Sequence, residues 1–177
     1  MKHYTFARTF RVLYDKAVGL YAKGQRGADT FFNEQEQAWL AANGITPQHL
    51  YDYAEDQNGD GEPGYDIALG IEGVRRDYFL NIQGGQPSPG PLLDEASLPP
   101  KDASVAGIVW LPRIIPKARA KLHGELPASL MYCCGGDRHF FKSNDIYPAE
   151  FLSLVWRAGN NDQAIIDQVA RRIASRS

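Results

Sequence analysis

The sequence predicts an all-α fold: a compact helical domain built from two related helix-bundle halves, joined by a long connector rich in proline and glycine. Apolar side chains recur at spacings of three and four along most of the 177 residues, which is the helical period. Residues 83–104 interrupt that period with closely spaced prolines and glycines. The apolar pattern before this interruption returns after it, at a shift of 101 positions. We therefore expect a first half at 1–82, the connector at 83–104 and a second half at 105–177.

The first half carries four predicted helices with recognisable start and stop signals. Gly24 and Gly44 end the first two, because glycine adopts the backbone angles that follow a helix. Thr46 and Pro47 start the third, with threonine as the N-cap and proline at the first helical position. Arg75-Arg76 lie late in the fourth, where basic residues complement the helix dipole. The helices are expected at 6–23, at 33–43, from 47 with Leu50, Tyr51 and Ala54 inside it, and at 65–80.

The second half carries three clear predicted helices and one short apolar run. Pro112 and Pro116 confine the start of the first helix, because proline is tolerated only in a first helical turn. Ile108–Leu111 is the one run with strand character, and the sequence suggests no partner strand for it. The helices are expected at 113–122, 148–157 and 162–175.

The two halves align with each other over much of their length. A shift of 101 positions places Lys16-Ala17 on Lys117-Ala118, and Pro47 on Pro148. For the last helix a shift of 96 fits better, so the first copy has five extra residues, in the segment 56–61. Each half is small for independent stability, so we expect the two to pack together. A cleft between two similar halves is a natural position for a ligand.

Charge and composition exclude several classes of function. The 19 basic and 21 acidic residues give a net charge of −2, so we expect no nucleic-acid partner. The sequence lacks a run of about 18 apolar residues and a signal-peptide pattern, so we expect no membrane segment and a cytoplasmic location. The two cysteines are adjacent, which disfavours a disulfide and suits a reducing compartment. Phosphate-loop, dinucleotide and zinc spacings are also missing, so no cofactor is expected.

One segment of the second half carries a family signature. Residues 106–124 read AGIVWLPRIIPKARAKLHG. They resemble the pattern G-x-V-W-L-P-R-x-x-x-K-x-R-x-x-L-x-G of DUF5069, a bacterial family of unknown function. The stretch from Cys134 to Phe140 and the two helices after it look similar to the same family, so the resemblance covers about 95–177. Pro116 departs from the pattern, since many members carry an acidic residue there. The resemblance implies a small helical bacterial protein and no particular reaction.

The glycine-containing segment 133–139 is the first candidate site. Two glycines before a helix let backbone N–H groups converge at its positive end, which favours an anion. Arg138 can clamp a carboxylate or phosphate, and Cys134 can act as a nucleophile with His139 or His123 as its base. The alternative is structural: Asp137 caps the helix, and the cysteines are small core residues.

A basic stripe is the second candidate site. Arg113, Lys117 and Lys121 are spaced by four and share one face of a predicted helix. Such a stripe either binds an anionic ligand or is the solvated face opposite the apolar one. Trp110 and Tyr132 are the expected apolar walls of the ligand cleft.

A short acidic motif in the first half is the third candidate. Asp56, Asn58 and Asp60, followed by Gly61, open like a calcium loop with oxygen ligands at alternating positions. The closing position, where such loops carry glutamate, holds Ile67. A weak calcium site and a hydrophilic turn within the five-residue insertion both fit this pattern.

Two functions from different classes follow from these candidates. The first is recognition of a small anionic molecule in the cleft between the halves, with Arg113, Lys117 and Arg138 supplying positive charge. If the protein is an enzyme, Cys134 or Asp137 is its reactive group. The second is a non-catalytic module for protein–protein interaction, with a form that responds to calcium through the acidic motif.

Overall fold

The structure is a computed structural model and describes residues 2–175. Within that range the chain contains eight α-helices and one two-stranded hairpin, so the prediction of a mainly helical fold is confirmed. The chain forms two compact units, Met1–Gln86 and Pro87–Ser177. None of the helices described is both long and apolar enough to cross a membrane.

The first unit consists of four helices and a 3-10 turn at Ala28–Thr30. Asn33 and Glu36 form a capping box, in which the Asn33 side chain accepts from Glu36 N at 2.9 Å and Glu36 accepts from Asn33 N at 2.8 Å. The Thr46 hydroxyl accepts from His49 N at 3.4 Å, as its predicted cap role requires. The helices are α1 (Lys2–Ala22), α2 (Glu34–Ala41), α3 (Pro47–Gly59) and α4 (Tyr65–Asn81).

The core of the first unit lies where α1 packs along α3. The buried face of α1 has the predicted spacing of three and four and presents aromatic rings to the core. Tyr65 at the start of α4 meets this face, with its ring centroid 5.5 Å from that of Tyr14 in an edge-to-face arrangement. The buried residues of α1 are Phe6, Phe10, Leu13, Tyr14 and Ala17.

Charged side chains of α4 are buried within the first unit. Arg75 and Arg76 are 3% and 5% exposed and lie short of the last turn of the helix. Arg76 Nε donates to Asn43 Oδ1 at 2.6 Å. Glu72 on the same helix accepts from the Tyr53 hydroxyl at 2.8 Å. The helix-dipole interpretation of the arginine pair is therefore wrong, because these arginines are hydrogen-bonded core residues.

The calcium-loop prediction is also wrong, because α3 continues through Asp56 and Asn58 to Gly59. Residues two apart on a helix point away from each other, so these side chains do not converge on one ion. The Asn58 amide donates to Ala54 O at 2.8 Å, and Asp60 Oδ1 accepts from Glu62 N at 3.1 Å. Residues 2–175 contain no group of three or more His, Cys, Asp or Glu side chains arranged to hold a metal ion.

The second unit begins within the predicted connector, which is anchored to the rest of the unit. Leu93 N donates to Glu125 O at 2.8 Å, and the Ser88 hydroxyl donates to Glu125 Oε1 at 2.5 Å. A 3-10 turn follows at Glu95–Ser97. The remaining elements are β1 (Ser104–Val105), β2 (Ile108–Val109), α5 (Leu111–His123), α6 (Gly135–Ser143), α7 (Pro148–Ala158) and α8 (Asp162–Ala174).

The start of α5 differs from the prediction in two respects. The run at Ile108 does have a partner, because β1 pairs with β2 in antiparallel register, with Val105 opposite Ile108. α5 then begins at Leu111, so Pro116 lies inside the helix and removes one backbone donor there. α5 packs against α7, and α7 packs against α8. The hairpin therefore leads directly into the central helix of the unit.

Replacing Gly44 with alanine is predicted to destabilise the first unit by about 1–3 kcal/mol. Gly44 has φ +71°, and a Cβ there would lie 2.6 Å from the Phe79 ring. Gly73→Ala, inside α4 with no atom within 4 Å of the new Cβ, is the matched control. It should stabilise the protein by about 0.5–1 kcal/mol. Urea unfolding of the full chain measures the stability change of both variants. If the two changes were equal and of the same sign, the positive φ of Gly44 and its contact with Phe79 would not explain the effect of Gly44→Ala.

Candidate functional site

Trp110 occupies the single residue between β2 and α5 and has an unusual backbone. Its φ and ψ are 74° and −23°, in the left-handed region that residues other than glycine rarely adopt. Its backbone N donates to Ala103 O at 3.0 Å, which continues the hairpin pairing past β2. The chain turns sharply here, and the turn sets the direction in which the indole points.

The indole of Trp110 is held by two neighbouring residues of α6. Its Nε1–H donates to Asp137 Oδ1 at 2.9 Å. Its six-membered ring lies against Gly136, where an added Cβ would be only 2.5 Å from Cη2 and Cζ2. Only glycine at this position lets the ring approach so closely, so Gly136 and Asp137 together set the position of the indole.

A buried ion pair lies beneath the indole. Lys117 Nζ donates to Asp137 Oδ2 at 2.6 Å, and the two side chains are 3% and 0% exposed. Asp137 Oδ2 also accepts from the backbone N of Cys133 at 2.9 Å. The carboxylate thus accepts from an indole, an ammonium and a backbone amide. With three donors it is built to hold neighbouring groups in place, which differs from the reactive role predicted for it.

The two cysteines have different surroundings. Cys133 is fully buried, and this burial raises the pKa of its thiol to about 12, with the nearby Asp137 charge adding to the effect. Cys134 is half-buried and is the N-cap of α6. Lys117 Nζ lies 3.4 Å from its sulfur. Of the two thiols, Cys134 has the exposure and the cationic neighbour that thiol reactivity requires.

The basic residues predicted to bind an anion all contact other groups of the protein. Arg113 donates to Pro99 O at 2.8 Å, and Arg138, which is buried, donates to Cys133 O at 2.9 Å. Lys117 and Lys121 are buried rather than solvated, so the exposed-face interpretation of the basic stripe is wrong. These cations hold the loop and the helices together.

Tyr132, predicted as a wall of a ligand cleft, is a core residue. It is 2% exposed, its hydroxyl donates to Pro148 O at 2.8 Å, and its ring packs edge-on against Phe141. Burial raises the pKa of Tyr132 well above its usual value. The tyrosine thus joins the loop before α6 to the start of α7, and it lies away from solvent.

A cavity of about 580 Å³ lies beside the indole of Trp110, and we call it the Trp110 pocket. The hairpin forms one wall, α6 forms another, and Ile173 of α8 closes part of the third side. His139, which is exposed, lines it as well. Its lining is mainly apolar and consists of Ala106, Gly107, Ile108, Val109, Trp110, Gly136, His139, Phe140, Ser143, Asn144 and Ile173.

The pocket brings together only two of the predicted site residues, Trp110 and His139. The predictions missed Gly136 as the seat of the indole and the hairpin as a wall. The Trp-Leu-Pro run of residues 110–112 and the paired glycines of residues 135–136 are both visible in the sequence, but no local spacing connects positions so far apart in the chain. Apart from the helical period to which Ile173 belongs, nothing in the sequence marks it as a pocket residue.

All of these site residues fall within one family match. Residues 99–177 match the model of a domain of unknown function, DUF5069. The predicted resemblance is confirmed. Trp110, Lys117 and Asp137 therefore lie inside the DUF5069 segment, as does the whole lining of the Trp110 pocket. The chain matches no curated protein and no solved structure.

Replacing Lys117 with methionine is predicted to destabilise the protein by about 3–5 kcal/mol, because it leaves the Asp137 carboxylate buried without its cation. Lys101→Met, at an exposed position of the same unit, should change stability by less than about 0.5 kcal/mol. Urea unfolding followed by circular dichroism measures both. A Lys117→Met loss no larger than the Lys101→Met loss would contradict the structural role of the pair.

Iodoacetamide is predicted to label Cys134 and to spare Cys133 in the folded protein. The raised pKa keeps the Cys133 thiol protonated at neutral pH, and burial excludes the reagent. Peptide mass spectrometry after labelling at pH 7.5, with and without urea, locates the modified residue. Equal labelling of both cysteines without urea would show that the loop before α6 opens freely.

Proposed function

We propose that the DUF5069 segment binds a small organic acid with an apolar body in the Trp110 pocket. The observation that carries this proposal is a pocket built on an indole whose ring edge and N–H are both held. Its volume of about 580 Å³ lies within the range of about 300–1,000 Å³ usual for small-molecule sites. An indole that is already in position loses little conformational freedom when a ligand binds.

The chemistry of the lining favours an acid over a base. Gly136, His139, Phe140 and Ser143 fall on one face of α6 at helical spacing, so an apolar wall ends in polar groups. The described lining contains an imidazole and no carboxylate. A ligand cation would therefore lack a countercharge, whereas an acid group meets His139. The proposed ligand is thus still an anion, as the sequence predicts. Its proposed partner is His139 in place of Arg113, Lys117 and Arg138.

Binding is a better account of this geometry than catalysis. Asp137 accepts hydrogen bonds from three groups of the protein itself, so it is not poised to take a proton from a substrate. Cys134 is absent from the residues that line the pocket, among those the structure describes. A concave apolar cavity also fits a small molecule better than it fits the flat face of a partner protein.

We also propose how the two units arose and where in the cell the protein is located. α2 and α3 begin at Glu34 and Pro47, and α6 and α7 begin at Gly135 and Pro148, which is 101 positions later in each case. In each unit the first long helix packs against the third of the four. These correspondences support an internal duplication. Two free cysteines support a reducing location such as the cytoplasm.

Titration with the anionic apolar dye 1-anilinonaphthalene-8-sulfonate is predicted to show saturable binding that depends on the pocket. Val109→Trp should weaken binding at least tenfold, because Val109 lines the pocket and a larger side chain there occupies it. Val12→Trp, at an exposed valine of α1, is the matched control and should leave binding unchanged. Dye fluorescence measures the affinity, and equal affinities for the two variants would overturn the proposal.

A further inference from the structure

We infer that the Trp110 pocket selects a planar aromatic acid, with the ligand ring stacked on the part of the indole that lines the cavity. The inference rests on the proposed function and specifies its ligand class. The Cη2–Cζ2 edge of the indole lies against Gly136, and the Arg113 guanidinium lies over the ring, 5.9 Å from its centroid, without lining the cavity. Trp110 nevertheless remains partly exposed and lines the cavity. The indole is therefore held at its N–H and at one edge, and it presents part of its flat ring to the cavity.

Three features that do not favour stability combine to hold this surface in place. Trp110 adopts a left-handed backbone, which is unfavourable for a residue with a Cβ. Gly136 lies in a helix, where glycine is less favourable than alanine. The Lys117–Asp137 pair is buried, where apolar residues of similar volume often serve stability equally well.

These three features meet only at the indole. A tryptophan that merely filled the core would need neither the left-handed turn nor the glycine against the edge of its ring. Local strain that the rest of the structure maintains is typical of functional sites. Here the strained residues fix the plane and the position of an aromatic ring at the edge of a cavity.

A fixed ring plane distinguishes ligands by shape and by π character. Aromatic rings prefer offset-stacked or edge-on contacts with an indole, and such pairs gain free energy beyond that of the area they bury. The aliphatic lining residues, Ile108 and Ile173 among them, suit the edges of a flat ligand. An aliphatic chain would be accommodated equally well by leucine at position 110, without a hydrogen-bonded ring N–H.

The ligand acid group has one direction in which to point. His139 lies on α6 and Asn144 is the C-cap of that helix, at the polar end of the wall that contains Phe140. The Asn144 amide donates to Phe140 O at 2.8 Å, which fixes its orientation. A carboxylate attached to the stacked ring would thus lie toward His139, while the ring covers Trp110.

Calorimetric titration with 2-naphthoate and its saturated analogue, decahydro-2-naphthoate, tests the inference. The two acids have the same charge and carbon skeleton, and the saturated one is the more apolar. Hydrophobic transfer alone therefore favours the analogue. Stacking should instead make 2-naphthoate bind about 2- to 13-fold more tightly to the unmodified protein.

A pair of glycine variants separates ring position from other effects. Gly136→Ala forces the indole to shift, so the preference for 2-naphthoate should disappear. Gly135→Ala, whose new Cβ would have only an ordinary contact at 3.8 Å with Arg138, should retain it. Circular dichroism checks that both variants are folded, and Trp110→Leu provides a second loss of the stacking surface should Gly136→Ala not fold.

The outcomes separate the two proposals. Equal or reversed affinities in the unmodified protein would overturn the aromatic inference, while binding of both acids would leave the proposed function standing. A preference that survives in both Gly136→Ala and Trp110→Leu would also overturn the inference. No binding of either acid would overturn the proposed function together with it.

Discussion

The site in the second unit depends on one interaction, the buried ion pair between Lys117 of α5 and Asp137 of α6. Asp137 is also the acceptor for the Trp110 indole and for the backbone N of Cys133. One carboxylate therefore connects the central helix, the start of α6, the loop before it and the residue that follows the hairpin. If the ammonium were absent, the carboxylate would have to be buried without its countercharge, and the whole connection would weaken.

Both units bury a carboxylate completely, and in both an aromatic side chain donates a hydrogen bond to it. Glu72 in the first unit accepts from the Tyr53 hydroxyl, and Asp137 in the second accepts from the Trp110 indole. Fully buried polar groups contribute specificity when all their partners are present, since a missing partner is expensive in a low-dielectric interior. In the second unit this specificity takes a particular form: it determines the plane of a ring beside a cavity of about 580 Å³.

Much of the fold could be predicted from the sequence, because local signals set the helix boundaries. Thr46 followed by Pro47 marks the start of α3, and Pro148 marks the start of α7. The site could not be predicted in the same way. Helical periodicity predicts that a lysine faces solvent. Lys117 is buried because it pairs with Asp137, which lies 20 residues further along the chain. The family signature identified the right segment, but the geometry that relates its residues is tertiary.

Hydrogen exchange of the Trp110 indole N–H, followed by nuclear magnetic resonance, tests most directly whether the Lys117–Asp137 pair holds the indole. The backbone amide of Phe151, buried in α7, reports opening of the unit as a whole. We predict that Lys117→Met accelerates exchange of the indole N–H at least tenfold more than that of the Phe151 amide. Indole exchange that is unchanged, or that rises only in step with the Phe151 amide, would contradict the account.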